Sequence, residues 1–166
     1  YDSQVVPKEK HTHLVFCFEA GGQLAYHDPR RFGRLRLIDT DGDKAIPPLL
    51  RLGPDPLESS FTIEELARMT SRSGRSIKDF LLDQTKIAGI GNIYACEIIH
   101  HATLHPCARV KELSPRQVDT LYHAIREVLL RGIEYRGTTI SDYRDADGEK
   151  GGFQELLQVY GRGGEY

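Results

Sequence analysis

The sequence predicts an α+β chain in which a short β-structured part precedes an all-helical part. Period-two alternation broken by a glycine turn is confined to the first forty residues, the pattern of a half-buried hairpin. Helix-start signals and apolar residues at helical spacing begin only at Thr62. Between them lies IPPLLRLGPDPLESS, rich in proline and glycine, so the boundary falls there. The parts are then 1–45, a linker at 46–60, and 61–166.

In chain order, LVFCFE, the turn AGGQ and LAYHD form the hairpin, and RLRLI after Gly33 alternates like a further strand at a sheet edge. Thr62 with Glu65 caps a helix over EELARM, and Ser76 with Asp79 caps another over IKDFLLDQ. NIYACEIIHHA is a third helix, entered through Gly89-Ile90-Gly91. The connection LHPCARVKEL, with its proline, leads to a fourth, started by Ser114-Pro115 with Gln117. There Val118, Leu121, Ile125, Val128, Leu129 and Ile133 share one face, up to a stop at Gly137. The following TTISDYRDADGEKGGFQ is polar, glycine-rich and aperiodic, a loop of the length usually kept for function.

Composition is that of a globular domain, 39% hydrophobic and 28% charged. No apolar run approaches the roughly 20 residues of a membrane helix, and YDSQVVPKEK lacks the features of a signal peptide. A cytoplasmic protein is expected, with no membrane partner. Cys17, Cys96 and Cys107 are too widely spaced for a disulfide framework or a C-x-x-C knuckle. Buried reduced thiols are expected, and no metal site. The net charge of −2 argues weakly against nucleic acid, but cations cluster: Arg30, Arg31, Arg34 and Arg36 fall within seven residues, and Arg68, Arg72, Arg75 and Lys78 in a stretch without acids.

Two segments carry candidate chemistry. In GIGNIYACE, glycines ahead of a helix let a phosphate approach the free N–H groups at its N-terminus, where the dipole favours an anion; Asn92 adds a donor, and Lys78 could meet the same backbone. The bland alternative is a turn packed against a neighbouring helix. In HDPRRFG, Asp28 and the proline close a turn from which Arg30 and Phe32 can project together, one to a base edge and one into a base stack. The alternative there is a surface turn whose phenylalanine packs underneath.

Taken together, HDPRRFGRL, LGPDPL, IKDFLLDQTKIAGIGNIYACEIIHHATLHP and GIEYRGTTISDYRDADGEKGGFQELLQVYGRGGE resemble the formamidopyrimidine-DNA glycosylase family, in order and spacing, over nearly the whole chain. The resemblance implies the end of a β-sandwich glycosylase domain followed by a helix-two-turn-helix DNA-binding domain. Its implied partner is double-stranded DNA containing an oxidised purine such as 8-oxoguanine or formamidopyrimidine, flipped out for excision. The implied activity is base-excision repair by a monomeric glycosylase and apurinic-site lyase. Arg30 then matches the arginine that pairs with the orphaned cytosine, and Phe32 the aromatic that fills the gap. Lys78, Asn92 and Tyr160 match phosphate contacts and His11 another DNA contact; the family often has Lys or Arg near what is Ser73 here, a small loss unless Arg72 or Arg75 compensates, and Arg75 is counted among the DNA-binding residues. Thr138, Thr139, Ile140, Ser141, Asp142 and Tyr143 match the loop that grips the flipped base.

Two family features are not found in these residues: the initial Pro-Glu whose amine attacks the sugar, with its assisting lysine, and a four-cysteine zinc finger. The expectation is therefore that the 166 residues keep DNA binding but hold no catalytic residue, zinc belonging to the full-length family. Two further readings remain: a non-enzymatic damaged-DNA-binding module, and an endonuclease VIII-like glycosylase acting on oxidised pyrimidines.

Overall fold

The computed structural model describes residues 10–35, 37, 51–140 and 148–162. The chain divides into two compact units, Tyr1–Lys44 and Ala45–Tyr166.

In the first unit, β1 (Thr12–Cys17) and β2 (Gln23–His27) pair antiparallel, with Val15 opposite Ala25 and Phe16 opposite Leu24. A bulge between Thr12 and Leu14 interrupts the register. The connection turns through Gly21 and Gly22 at φ of 87° and 90°, a conformation that a Cβ disfavours. The third strand expected from RLRLI is not seen: Arg34, Leu35 and Leu37 lie outside any strand, and Arg36 and Ile38 fall outside the described residues. Alternation makes a strand only where a neighbouring backbone completes the ladder, and β1 and β2 pair only with each other among the described residues.

The second unit holds α1 (Ile63–Ser71), α2 (Ile77–Leu82), α3 (Asn92–His101) and α4 (Pro115–Glu134), with 3₁₀ turns at Val110–Glu112 and Phe153–Leu156. Each expected N-cap forms: Thr62, Ser76 and Ser114 accept from the amides of Glu65, Asp79 and Gln117. At Ser114 the box is complete, because the Gln117 side chain accepts from the Ser114 amide at 2.9 Å. The core is one cluster contributed by every helix, with Leu66, Phe80, Ile98 and Leu121 fully buried. α3 packs against both α2 and α4. The connection after α3 runs back along α2, whose first amides, on Ile77 and Lys78, donate to the carbonyls of Ala108 and Pro106. None of the described helices is long and apolar enough to cross a membrane.

Two helix expectations need correction. α2 ends at Leu82 rather than at Gln84, because the Asp83 carboxylate accepts from the amide and hydroxyl of Thr85 and offers the backbone a competing turn. In α4, Ile133 is 65% exposed and Gly132 is the buried residue of the last turn. Gly132 lies beneath the Tyr94 ring, which stacks on Phe153 at 5.2 Å, and contact at that distance leaves no room for the face to continue through a side chain.

Gly132 sets two effects against each other. Alanine would favour the helix by about 1 kcal/mol, but its Cβ would sit 2.6 Å from a Tyr94 ring carbon, and overpacking costs about 1–3 kcal/mol. Since stacking holds the ring, Gly132→Ala is expected to lower the thermal midpoint; a raised midpoint would show that the ring moves freely.

Candidate nucleic-acid interface

In the first unit, one carboxylate shapes the HDPRRFG turn. Asp28 Oδ1 accepts from the amides of Arg30 and Arg31 at 3.1 and 2.9 Å, and Oδ2 from the Gly33 amide at 2.7 Å and the Tyr26 hydroxyl at 3.1 Å. These donors stabilise the anion, the Gly33 amide most, and hold the carboxyl below the usual aspartate range. The turn carries Arg31 at φ 58°, a strained region that the cage of bonds enforces. Arg30 and Phe32 project from it together. Phe32 is 75% exposed and the Arg30 guanidinium lies 4.9 Å from its ring centroid, a cation–π contact that aligns the pair. The alternative of a phenylalanine packed underneath is thereby excluded. At the root, His11 sits edge-on to His27 at 6.1 Å, and its carbonyl accepts from the Asp28 amide.

In the second unit, α3 begins without a side-chain cap: Gly91 is its N-cap, and the first helical bond runs from Ala95 to the Gly91 carbonyl. The amides of Asn92, Ile93 and Tyr94 are therefore the orphan donors of a helix start, and Asn92 is exposed beside them. The approach is fixed by Gln84, whose side chain accepts from the Gly89 amide at 2.8 Å and donates to the Ile90 carbonyl at 2.9 Å. Gly89 adopts φ 85° and Ile90 is buried. Lys78, half-buried in the first turn of α2, lines a cavity with Cys96. Cys96 stands four residues after Asn92, hence on the same face of α3. Arg75 is committed in part, its guanidinium 3.4 Å from Asp83.

The loop after α4 is described at its two stems. Thr138, Thr139 and Ile140 leave α4, whereas Ser141, Asp142 and Tyr143 fall outside the described residues. Gln154 closes the stems, accepting from the Thr139 amide at 2.9 Å and donating to the Gly151 carbonyl at 2.6 Å. The Gly151 amide donates to the Thr139 hydroxyl, and a Cβ on Gly151 would collide with the Gly137 carbonyl. Ile140 is half exposed at the mouth.

Tyr160, 42% exposed, is positioned by a residue that the sequence reading does not single out. The Glu97 carboxylate, 5% exposed, accepts from the amides of Gln158, Val159 and Tyr160 at 2.8, 3.0 and 3.1 Å. The signal was available: Glu97 stands between Cys96 and Ile98 in a helix of mostly apolar residues, and an acid there must be paired. Gln84 and Gln154, by contrast, carried no local signal.

The cysteines also depart from expectation. Cys17 and Cys107 are exposed and Cys96 is half-buried, all three as free thiols. Cys17 lies on a two-stranded hairpin and Cys107 in the connection after α3, neither of which encloses a side chain. Among the described residues no cluster of histidine, cysteine or acid could hold a metal ion, so the zinc of the family resemblance finds no ligand set among them.

Residues 52–144 match the family model described as the formamidopyrimidine-DNA glycosylase H2TH domain. The formamidopyrimidine-DNA glycosylase of Pelotomaculum thermopropionicum is 46% identical over 159 residues, covering 96% of this chain and 58% of the relative. That of Desulfitobacterium hafniense is 46% identical over 165 residues, covering 99% and 60%. Among solved structures, MutM (Fpg) from Thermus thermophilus superposes with a TM-score of 0.84 at 44% identity, over 93% of this chain and 58% of that one. Lactococcus lactis Fpg bound to DNA containing an abasic site gives 0.83 at 38% identity, over 95% and 57%. The chain thus spans less than two thirds of the length of these relatives.

Two tests follow from the geometry. Glu97→Gln removes the charge and one acceptor oxygen, leaving part-buried amides of residues 158–160 short of a protein partner, at about 1 kcal/mol. Amide exchange at residues 158–160 should accelerate while the hairpin is unchanged; unaltered protection would show that the carboxylate does not hold the segment. For Asp28, a depressed folded value means that the turn's support is full above the ordinary carboxyl value near ~3.9 and is lost as pH falls through the depressed one. An NMR titration of the Gly33 amide should accordingly turn below pH ~3.9, and a midpoint at or above it would contradict the cage.

Proposed function

The chain belongs to the formamidopyrimidine-DNA glycosylase family, and from that premise we propose that it grips duplex DNA holding an oxidised purine, for a base-excision glycosylase and apurinic-site lyase. The observation that carries this is the start of α3: three orphan amides and the Asn92 side chain on an approach locked by Gln84, with Lys78 lining a cavity beside Cys96, one turn further along α3. A phosphodiester is the ligand such a site suits, since it needs several donors and a positive charge. Two complexes of one relative support the choice: Lactococcus lactis Fpg is known bound to DNA containing an abasic site, and a mutant of it to DNA containing Fapy-dG.

In this reading phosphate contacts set position and the HDPRRFG turn reads the gap. A base must leave the stack before its glycosidic carbon can be attacked. Phe32 enters the opened stack and Arg30 hydrogen-bonds the orphaned cytosine. Their stacked, exposed arrangement suits that task because little side-chain order remains to be imposed. Tyr160 adds a phosphate contact and His11 and Arg75 further DNA contacts, Arg75 the weakest because Asp83 competes for it. The loop carrying Thr138, Thr139, Ile140, Ser141, Asp142 and Tyr143 holds the flipped base over stems that Gln154 closes. The protein works as a monomer in the bacterial cytoplasm, where its substrate is.

Lys78→Ala is expected to weaken binding to all duplexes alike and to flatten the dependence of log affinity on log salt by about 0.9, the share of one phosphate contact. An unchanged slope would remove Lys78 from the interface. Arg30→Ala, made in the full-length protein, should instead compress the preference for lesions opposite cytosine over adenine, by up to the roughly 1–3 kcal/mol of one base contact. A uniform loss with the cytosine preference intact would make Arg30 a phosphate contact.

A further inference from the structure

Beside the first turn of α2 lies a half-open cavity of about 280 Å³ whose lining shares Lys78 with the phosphate contact proposed above. One wall is a face of α3, where Cys96, Ile99 and His100 stand at i, i+3 and i+4. Leu104 and Pro106 close a second side, and Pro106 is fixed there because its carbonyl accepts the Lys78 amide. Val159 forms a third, held by the hydrogen bond that its backbone amide donates to the Glu97 carboxylate. Its Lys78 and His100 side chains have no ion-pair or hydrogen-bond partner among the described residues.

An apolar chamber with two donors that only water meets, on half-buried Lys78 and exposed His100, has a specific complement. Free phosphate would gain the ammonium but would be stripped of water against Ile99, Leu104 and Val159, and a neutral hydrocarbon would leave both donors unmet. A flat apolar body with one anionic end meets both demands. The volume lies near the lower bound of ligand pockets, about 300 Å³, enough for a bicyclic ring. We propose that this cavity binds a small aromatic carboxylate, its ring against Ile99, Leu104 and Val159 and its carboxylate on Lys78 and His100. Occupancy then engages the Lys78 ammonium and weakens DNA binding, a consequence that rests on the phosphate role proposed above for Lys78.

The test uses the 166-residue chain and 2-naphthoate, with 2-naphthamide and inorganic phosphate as comparisons. Direct titration by NMR should show saturable naphthoate binding with a dissociation constant on the order of 1 mM, as expected for so small a ligand. The neutral amide and phosphate should each bind at least about tenfold more weakly, the step that about 1.4 kcal/mol of charge or apolar contact produces. Alkylation of the three thiols by iodoacetamide, read peptide by peptide, supplies a footprint that needs no variant. Naphthoate should slow Cys96 and leave the exposed Cys17 and Cys107 unchanged. Lys78→Met, which keeps the stem and removes the charge, should abolish the preference for carboxylate over amide. No saturable binding, equal binding of the amide, phosphate competing as well as naphthoate, or no selective protection of Cys96 would each overturn the proposal. Duplex binding is measured last, with and without naphthoate. Weaker DNA binding in the wild type and none of that effect in Lys78→Met supports both readings. Cys96 protection with unaltered DNA affinity keeps the cavity and overturns the phosphate role of Lys78.

Discussion

The helical unit depends on a carboxylate placed where a helix should be apolar. α3 is flanked by α2 and α4, and its remaining side is closed by the segment at 158–160, which has too few buried side chains to adhere by apolar contact. Glu97 supplies the attachment by accepting three consecutive main-chain amides. A buried carboxylate without partners would be costly, yet with its lone pairs filled it fixes a backbone more rigidly than a hydrocarbon contact can. Tyr160 is exposed on a defined backbone for that reason, and the wall at Val159 has a fixed position.

The same device recurs wherever the chain leaves regular structure. Asp28 collects three amides and a phenol, Gln84 bridges both sides of the turn before α3, and Gln154 ties the two stems of the long loop. In each case one polar side chain replaces the repeating bonds that a helix or sheet would provide. The segments so ordered are the ones that present Arg30, Phe32, Asn92 and Ile140. Loops can hold binding groups in place only when something rigid sets their backbone, and here short polar cages do so without enlarging the core.

Charge is distributed to the same end. With a net charge of −2 the chain has no excess of cations to spread over a surface. Arg68 is held by Glu65 and Arg75 is approached by Asp83, so two members of the basic stretch are partly neutralised. Among the described residues Arg30 leans on a ring and pairs with no acid, which leaves its charge available to a partner. Local geometry, and not the sum of charges, decides which cations are available.

The sequence by itself determined the α+β class, the caps at Thr62, Ser76 and Ser114, the glycine entry to α3 and the family resemblance. The caps and the glycine entry are encoded in short windows, because a cap needs one side chain three residues from one amide, and a turn needs residues that tolerate its dihedrals. The resemblance also marked Arg30 and Phe32, and their shared projection followed from their spacing at a turn. Only the tertiary structure decided the rest. The absence of a strand at Arg34 and Leu35, the exposure of Ile133 over a buried Gly132, and the roles of Gln84, Glu97 and Gln154 all depend on what lies opposite in space. Glu97 meets its amides some sixty residues away in sequence, and no periodicity in either segment records that meeting. Pairing of a polar group is a property of two surfaces, and one sequence window contains only one of them.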